Sequence, residues 1–444
     1  MSTATGEPRC FRARPSCVER SELEVKTARN GAMPMNMMNR SPQRLCTHDD
    51  VLNAVIDEIA VSPATVSLVT ERYQAIADWL GRDGSTLQGH DPHVYVQGSF
   101  ALGTAIRPIG DTDAVDVDMV ICLRGFAGCA GSGYLTQGQL KCLVGKEIQA
   151  YAHARSMKSE PTNKRRCWTL EYADSTSFHV DLLPGIPASD EILKRRLQAF
   201  EYDRLMAVDE TVRQSVLNIT DRDDPGFLDP WATWPVSNPK GYAIWFAGKK
   251  LGFLGKEHVR KAIRAHIEGF PDQSGITPLQ GAVMLLKRHR DVLFKEREAK
   301  PISIIITTLA TMAYGGQDTL AATLRVILPE MRRLIHQLGP SSPLPNPSYP
   351  AENFADRLDA DGLRDLRKWI DSAHADLLTY LNGQRYDQVP VSVVEAMTET
   401  TMNKVRKRIA PAAPALLAGT TLAAAEEAKR VMDSGTETKP WYGW

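Results

Sequence analysis

HVYVQGSFALGTAIRPIGDTDAVDVDMVICL, His93 to Leu123, is the stretch whose reading decides the fold. It opens with a β-type run, His93 to Gln97, and breaks at Gly98-Ser99; a second β-type run follows from Val115 to Leu123. In that second run Val115, Val117, Met119, Ile121 and Leu123 alternate onto one apolar face. Asp116 and Asp118 fall on the other, because a strand repeats every two residues. Two carboxylates so placed stand side by side and repel each other when ionised. A divalent cation between them removes that cost. Preceded by a Gly-Ser turn, they suit Mg²⁺ and a polyphosphate: the metal bridges carboxylate and phosphate oxygens, and backbone N–H groups in the turn hold the rest.

Gly-Ser, a spacer, then Asp-apolar-Asp-apolar resembles the nucleotidyltransferase signature of the DNA polymerase β superfamily. That signature wants a third carboxylate on a neighbouring strand. Phe178 to Leu183 supplies Asp181, opposite an apolar face of Phe178, Val180 and Leu182. The spacer from Ser99 to Asp116 is longer than usual and contains a rival pair, Asp111 and Asp113. The rival is set aside because Thr112 and Ala114 make no buried strand face. Gly-Ser or Asp-x-Asp alone says little; the ordered set of three is specific.

The formal net charge is zero, with 53 basic and 53 acidic residues. A mainly electrostatic grip on long nucleic acid gains no support from that balance, and no stable complex of this kind is expected; a local basic patch stays open. The seven cysteines show no CxxC spacing, which reads as free thiols in a reducing cytoplasm without a zinc site. Cys122, on the Asp-bearing strand, reads as packing. No apolar segment has signal-peptide or membrane-spanning length.

Composition divides the 444 residues into a disordered tail (1–46), a core with N-terminal helices (47–245), a helical region (246–433) and a C-terminal tail (434–444). Helices are expected over Asp49 to Ile59, Ala64 to Leu80 and Leu135 to Ala154, the second packing under the sheet. Trp168 to Tyr172 and Ser177 to Leu183 form a hairpin-like pair ending at Pro184-Gly185, and Ser215 to Thr220 could add a strand. The basic segment Ser159 to Arg166 before them reads as a solvated turn. Further on, Thr277-Pro278-Leu279-Gln280 has the form of a capping box, and Asn382-Gly383 reads as a helix stop. Two last helices are expected at about Val391 to Arg408 and Pro414 to Met432. The fold class is α+β: a mixed sheet flanked by helices, joined to a helical domain.

Several stretches resemble the bacterial cGAS/DncV-like nucleotidyltransferases, the cyclic-oligonucleotide synthases of CBASS antiphage defence. They are GSFALGTAIRP from Gly98, SNPKGYAIWF from Ser237, LLKRHRD from Leu285, PISIIITTLA from Pro301 and NPSYPAENFADRL from Asn346. The resemblance implies a cleft between sheet and helices, use of nucleoside triphosphates, and a cyclic di- or trinucleotide product. It implies that Asp116, Asp118 and Asp181 hold two Mg²⁺ ions, or Mn²⁺, and that Asp181 also helps deprotonate the attacking hydroxyl. Gly98 and Ser99 would hold the donor triphosphate, with Lys287 and Ser303 touching it from the helical side. Read from the residues alone, Lys287 could equally be a solvated helix-end lysine and Ser303 a helix N-cap. Arg288 and Arg290 read as surface or ion-pair residues, and Tyr242 and Trp245 as core. Some members of this family dock partner proteins through the C-terminus, so SGTETKPWYGW, Ser434 to Trp444, is a candidate contact for a CBASS partner.

Two other classes compete: a polymerase-β-like transferase acting on RNA ends or another hydroxyl acceptor, and a non-catalytic nucleotide-binding module. The later motifs weigh against the first, the intact set of three carboxylates against the second. Because residues 1 to 40 lack any apolar period, deleting them is expected to leave both melting temperature and nucleotide product unchanged, as thermal unfolding and product analysis would check.

Overall fold

The structure is a computed structural model. It describes residues 47–409 except 110–113, 174–176, 190–211, 213, 263–267, 274, 298–299, 340–341, 357, 384, 387–388 and 390–396. The rival pair Asp111/Asp113, both terminal tails and the expected helix at Pro414 to Met432 lie outside the described residues.

β1 (Pro92–Gln97) and β2 (Val115–Leu123) pair antiparallel, as the alternating apolar residues of both runs dictate. β2 then pairs parallel with β5 (Ser177–Pro187). β5 runs antiparallel to β4 (Trp168–Ala173), which carries the two-residue β3 (Thr162–Asn163). β5 does not stop at Pro184-Gly185: it continues to Pro187 because β6 (Leu217–Ile219) pairs with its last residues, and β7 (Val236–Ser237) pairs with β6. The result is a mixed sheet in the order β1-β2-β5-β4-β3, with helices against it.

One sheet face is the apolar stripe read from the sequence. Val117, Met119, Ile121, Val180 and Leu182 pack there against α2 (Pro63–Gly81) and α4 (Gln137–Ala154). The other face changes character along β2. Asp116 is exposed, whereas Val120 and Cys122 are buried with Tyr95, Leu183, Leu217 and Ile219. Cys122 is a packing residue, and the thiol's burial pushes its pKa up to about 12.

A second apolar cluster is helical. It joins α1 (His48–Ile59), α6 (Pro278–Leu293), α7 (Ser303–Ala313), α8 (Leu320–Gln337), α9 (Ala360–Asn382) and α10 (Glu399–Ile409). The short α3 (Gly98–Leu102) lies between α2 and α4 in the chain, and the long α5 (Pro239–Ala262) between α4 and α6. The Asn238 carboxamide oxygen accepts from the Gly241 N–H at 2.9 Å, closing the first turn of α5. Gly383 follows α9 as expected, but with φ −66° and ψ 150° it is extended, so the stop does not use a left-handed glycine.

A buried ionic cluster ties β1 to α5. Glu268 receives Lys240 on one oxygen and the His93 imidazole at 3.0 Å on the other, while the Tyr73 hydroxyl donates to its backbone carbonyl at 2.5 Å. Breaking one partner of such a cluster leaves a buried charge unmatched.

α6 is built by the capping box: Thr277 Oγ1 accepts from the Gln280 N–H at 3.4 Å, and Gln280 Oε1 accepts from the Thr277 N–H at 3.0 Å. Gln280 Nε2 reaches further and donates to the carbonyl of Leu102, at the end of α3, at 2.8 Å. That buried residue therefore serves a cap and a long-range tie together. Gln280→Ala is expected to cost about 1–3 kcal/mol in unfolding free energy, read by urea titration; Gln280→Glu keeps the cap's acceptor but sets a buried carboxylate oxygen against the Leu102 carbonyl, and should cost at least as much at neutral pH.

Candidate active site

β1 ends where Gly98 turns the chain with φ +64°, and α3 starts there. Gln97 lies opposite Asp118 in the β1–β2 register, so the turn meets that carboxylate directly. A Cβ at Gly98 would overlap the Asp118 side chain, which is why this position takes glycine. Gly103, with φ +65°, ends α3.

The parallel register sets Asp118 beside Asp181 and Asp116 beside His179. Burial, then the negative charges of Asp181 and Asp116, push the Asp118 carboxyl up to about 7. Asp116 points outward, its side chain 85% exposed, with the His179 ring 3.8 Å away. Asp181 accepts from the Thr169 hydroxyl at 2.5 Å and pairs with Lys164 at 3.4 Å. Among the described residues no group of three or more His, Cys, Asp or Glu stands ready-made to hold a metal ion. The donor set is nonetheless all carboxylate oxygen, which suits a hard cation such as Mg²⁺, and the charge that lifts Asp118 is what such a cation would offset.

A cleft of about 970 Å³ brings together Gly98, Ser99, Asp116, Asp118, Lys287 and Ser303. Asp181 is not among its lining residues and stands behind, on β5. A smaller recess of about 220 Å³ meets the cleft at Gly98, Leu102, Asp118 and Ile304. Tyr242, Asn346 and Phe354 line that recess. Tyr242 is buried, its hydroxyl 2.9 Å from that of Thr308, and Trp245 packs on the helical core, as expected.

Lys287 is not a solvated helix-end lysine. It lies within α6, 7% exposed, and donates to the Thr104 carbonyl at 2.9 Å. Burial, then the Arg290 charge, lowers its pKa to about 8, against the pull of Asp291, Asp118 and Asp116. Nor is Ser303 an N-cap: Ile302 takes that place and makes no side-chain cap, while Ser303 Oγ accepts from Arg290 at 2.7 Å. Arg288 and Arg290, read as surface or ion-pair residues, are both buried, and Arg290 does make an ion pair. Arg290 binds the Pro301 carbonyl at 2.9 Å and the Asp291 carboxylate at 2.7 Å; Arg288 donates to the Arg107 carbonyl. Main-chain carbonyls, invisible in a residue pattern, supply the partners that let both arginines be buried.

Lys164 belongs to the segment read as a solvated turn. Lys164 is indeed exposed, but Arg165 and Arg166 are not free in solvent, since both bind the buried Asp221 carboxylate, at 2.5 Å and 2.9 Å. Basic residues just before a strand-like run that pairs with the one bearing Asp181 were the available signal. The cleft rim adds Arg107, Lys295, Arg297 and Lys300, a local basic concentration that the zero net charge conceals.

A mixed sheet with two carboxylates and a Gly-Ser turn at the mouth of a cleft, backed by helices, defines an α+β nucleotidyltransferase fold. Residues 92–184 match the family described as "Cyclic GMP-AMP synthase DncV-like, nucleotidyltransferase domain". The chain is 28% identical over 313 residues to the c-di-GMP synthase of Roseivirga ehrenbergii, covering 69% of this chain and 72% of that one. It is 24% identical over 415 residues to the cyclic dinucleotide synthase CdnG of Bradyrhizobium diazoefficiens, covering 84% and 92%. The structure of that CdnG in complex with GTP shares the fold, with a TM-score of 0.58, 20% identity and coverage of 82% of this chain and 98% of that one. No described helix is long and apolar enough to cross a membrane.

The raised Asp118 pKa carries a sign. Between about pH 4 and pH 7 the folded protein holds a proton that the unfolded chain has released, so Asp118 makes stability fall as pH rises through that window. In EDTA, Asp118→Asn is expected to melt several degrees above wild type at pH 8 and close to it at pH 4, as thermal scans across pH would check.

Proposed function

We propose that the chain condenses nucleoside triphosphates into a cyclic di- or trinucleotide second messenger, releasing pyrophosphate at each bond, and that it serves CBASS antiphage defence. The observation that carries this reading is the convergence of Gly98, Ser99, Asp116, Asp118, Lys287 and Ser303 on one cleft. The names of the curated relatives support the class of product, since both are cyclic dinucleotide synthases. The recess that meets the cleft at Gly98 and Asp118 offers a second compartment beside Asp118, as a reaction between two nucleotides needs.

In this reading residues 47–245 form the catalytic core and 246–433 the helical wall of the cleft. Ser99 and the N–H groups of its turn bind the donor triphosphate from the sheet side, and Lys287 and Ser303 bind it from α6 and α7. Asp116, Asp118 and Asp181 would hold two Mg²⁺ ions, or Mn²⁺, which would lower the pKa of the attacking ribose hydroxyl and offset charge on the leaving pyrophosphate. Asp181 accepts the hydroxyl proton. A second round, with the linear product turned about in the cleft, closes the ring. Ser434 to Trp444 serves as the contact for a CBASS partner protein.

Incubation of the pure protein with all four NTPs and Mg²⁺ or Mn²⁺, followed by mass spectrometry and linkage-specific nucleases, tests the reading. Asp116→Asn with Asp118→Asn is expected to abolish product while the protein still folds, a loss on the order of several kcal/mol in the barrier. Ser99→Ala should weaken nucleotide binding by about 1 kcal/mol. Asp111→Asn with Asp113→Asn should retain activity; a dead control beside a live Asp116/Asp118 double mutant would show that the wrong pair was chosen.

A further inference from the structure

The β3–β4 hairpin is pinned at more points than an edge turn needs. The buried Lys141 of α4 donates to the carbonyls of Lys164 and Arg165 at 2.5 and 2.6 Å. Arg165 and Arg166 clasp Asp221, the Thr220 hydroxyl donates to the Arg166 carbonyl at 3.0 Å, and Arg222 donates to the Asn163 carbonyl at 3.1 Å. Fixing the main chain this firmly fixes where the intervening lysine starts. From there Lys164 sends its ammonium to Asp181 Oδ1, the oxygen that also takes the Thr169 hydroxyl. Its charge is felt at Asp116 and Asp118 as well.

We infer that Lys164 is a positioning residue whose ammonium stands as the resident counter-charge of the three carboxylates and competes with the first divalent cation for Asp181. The inference rests on the metal-binding reading above and adds to it a residue that no motif of the sequence singles out. An ammonium and a divalent cation held by one carboxylate repel each other. A bare cation must therefore bind against the Lys164 charge or push it aside, and the site's affinity for metal in the absence of nucleotide is held down by that competition. With the lysine side chain 47% exposed and the Asp181 side chain 31% exposed, the pair is weak and solvent-screened, so the effect is a modest one.

The test is Mn²⁺ binding to the full-length protein without nucleotide, followed by the loss of the free Mn²⁺ electron paramagnetic resonance signal. Lys164→Met is expected to bind Mn²⁺ roughly 2- to 5-fold more tightly than wild type, the span that a partly exposed ion pair supplies. Lys164→Arg, which keeps the charge, should stay close to wild type, and adding Asp181→Asn to Lys164→Met should erase the gain. Thermal unfolding of each variant checks that the hairpin is intact. Equal or weaker Mn²⁺ affinity in Lys164→Met would overturn this inference and leave the metal reading standing. Absence of Mn²⁺ binding in both wild type and Lys164→Met would overturn the two together.

Discussion

The constraint on which the site depends is the parallel pairing of β2 with β5. It sets Asp118 against Asp181 in register and brings their charges close enough to repel. A shift of one residue would turn every side chain of β2 to the opposite face. Val117, Met119 and Ile121 would leave the core, and both aspartates would enter it. The apolar stripe thus guards the geometry of the polar one. The chemistry is placed by packing that does not take part in it, and the electrostatic cost of adjacent carboxylates is borne by a core that far outweighs it.

On the helical side, α6 grips the end of α3 and the chain that follows it. Gln280, Lys287 and Arg288 of α6 donate to the carbonyls of Leu102, Thr104 and Arg107. Three donors along one helix therefore hold the stretch that follows the Gly98-Ser99 turn. Lys287 is in consequence both a cleft residue and a structural donor, and its lowered pKa reflects the burial that the second role requires. Two walls of the cleft are kept at a fixed spacing by bonds that begin on side chains and end on backbone.

The strands, most helices and the carboxylate positions were legible because periodicity reports burial directly. Val115 to Leu123 names its own face, and Thr277 to Gln280 names its own cap. What stayed hidden depends on partners distant in sequence. β5 outruns Pro184-Gly185 because β6 arrives to pair with it. Arg288 and Arg290 are buried because carbonyls of residues 107 and 301 receive them. Lys164 to Arg166 looked like a solvated turn because Asp221, which organises it, lies 55 residues beyond Arg166. Gly383 illustrates the opposite case: the residue type suggested a left-handed stop, yet the chain leaves α9 extended.

The ties from α6 have an asymmetric consequence for how this sequence can drift. Main-chain carbonyls are present whatever residue occupies positions 102, 104 and 107, so side-chain replacements in that loop leave the acceptors in place. The donors have no such freedom. A change at Gln280, Lys287 or Arg288 alters reach, charge or hydrogen count, and no substitution in the loop can answer it. Pressure on this contact therefore falls on one partner only: a comparison of sequences would find it as invariance along a helix face, with no compensating change in the segment that the helix holds.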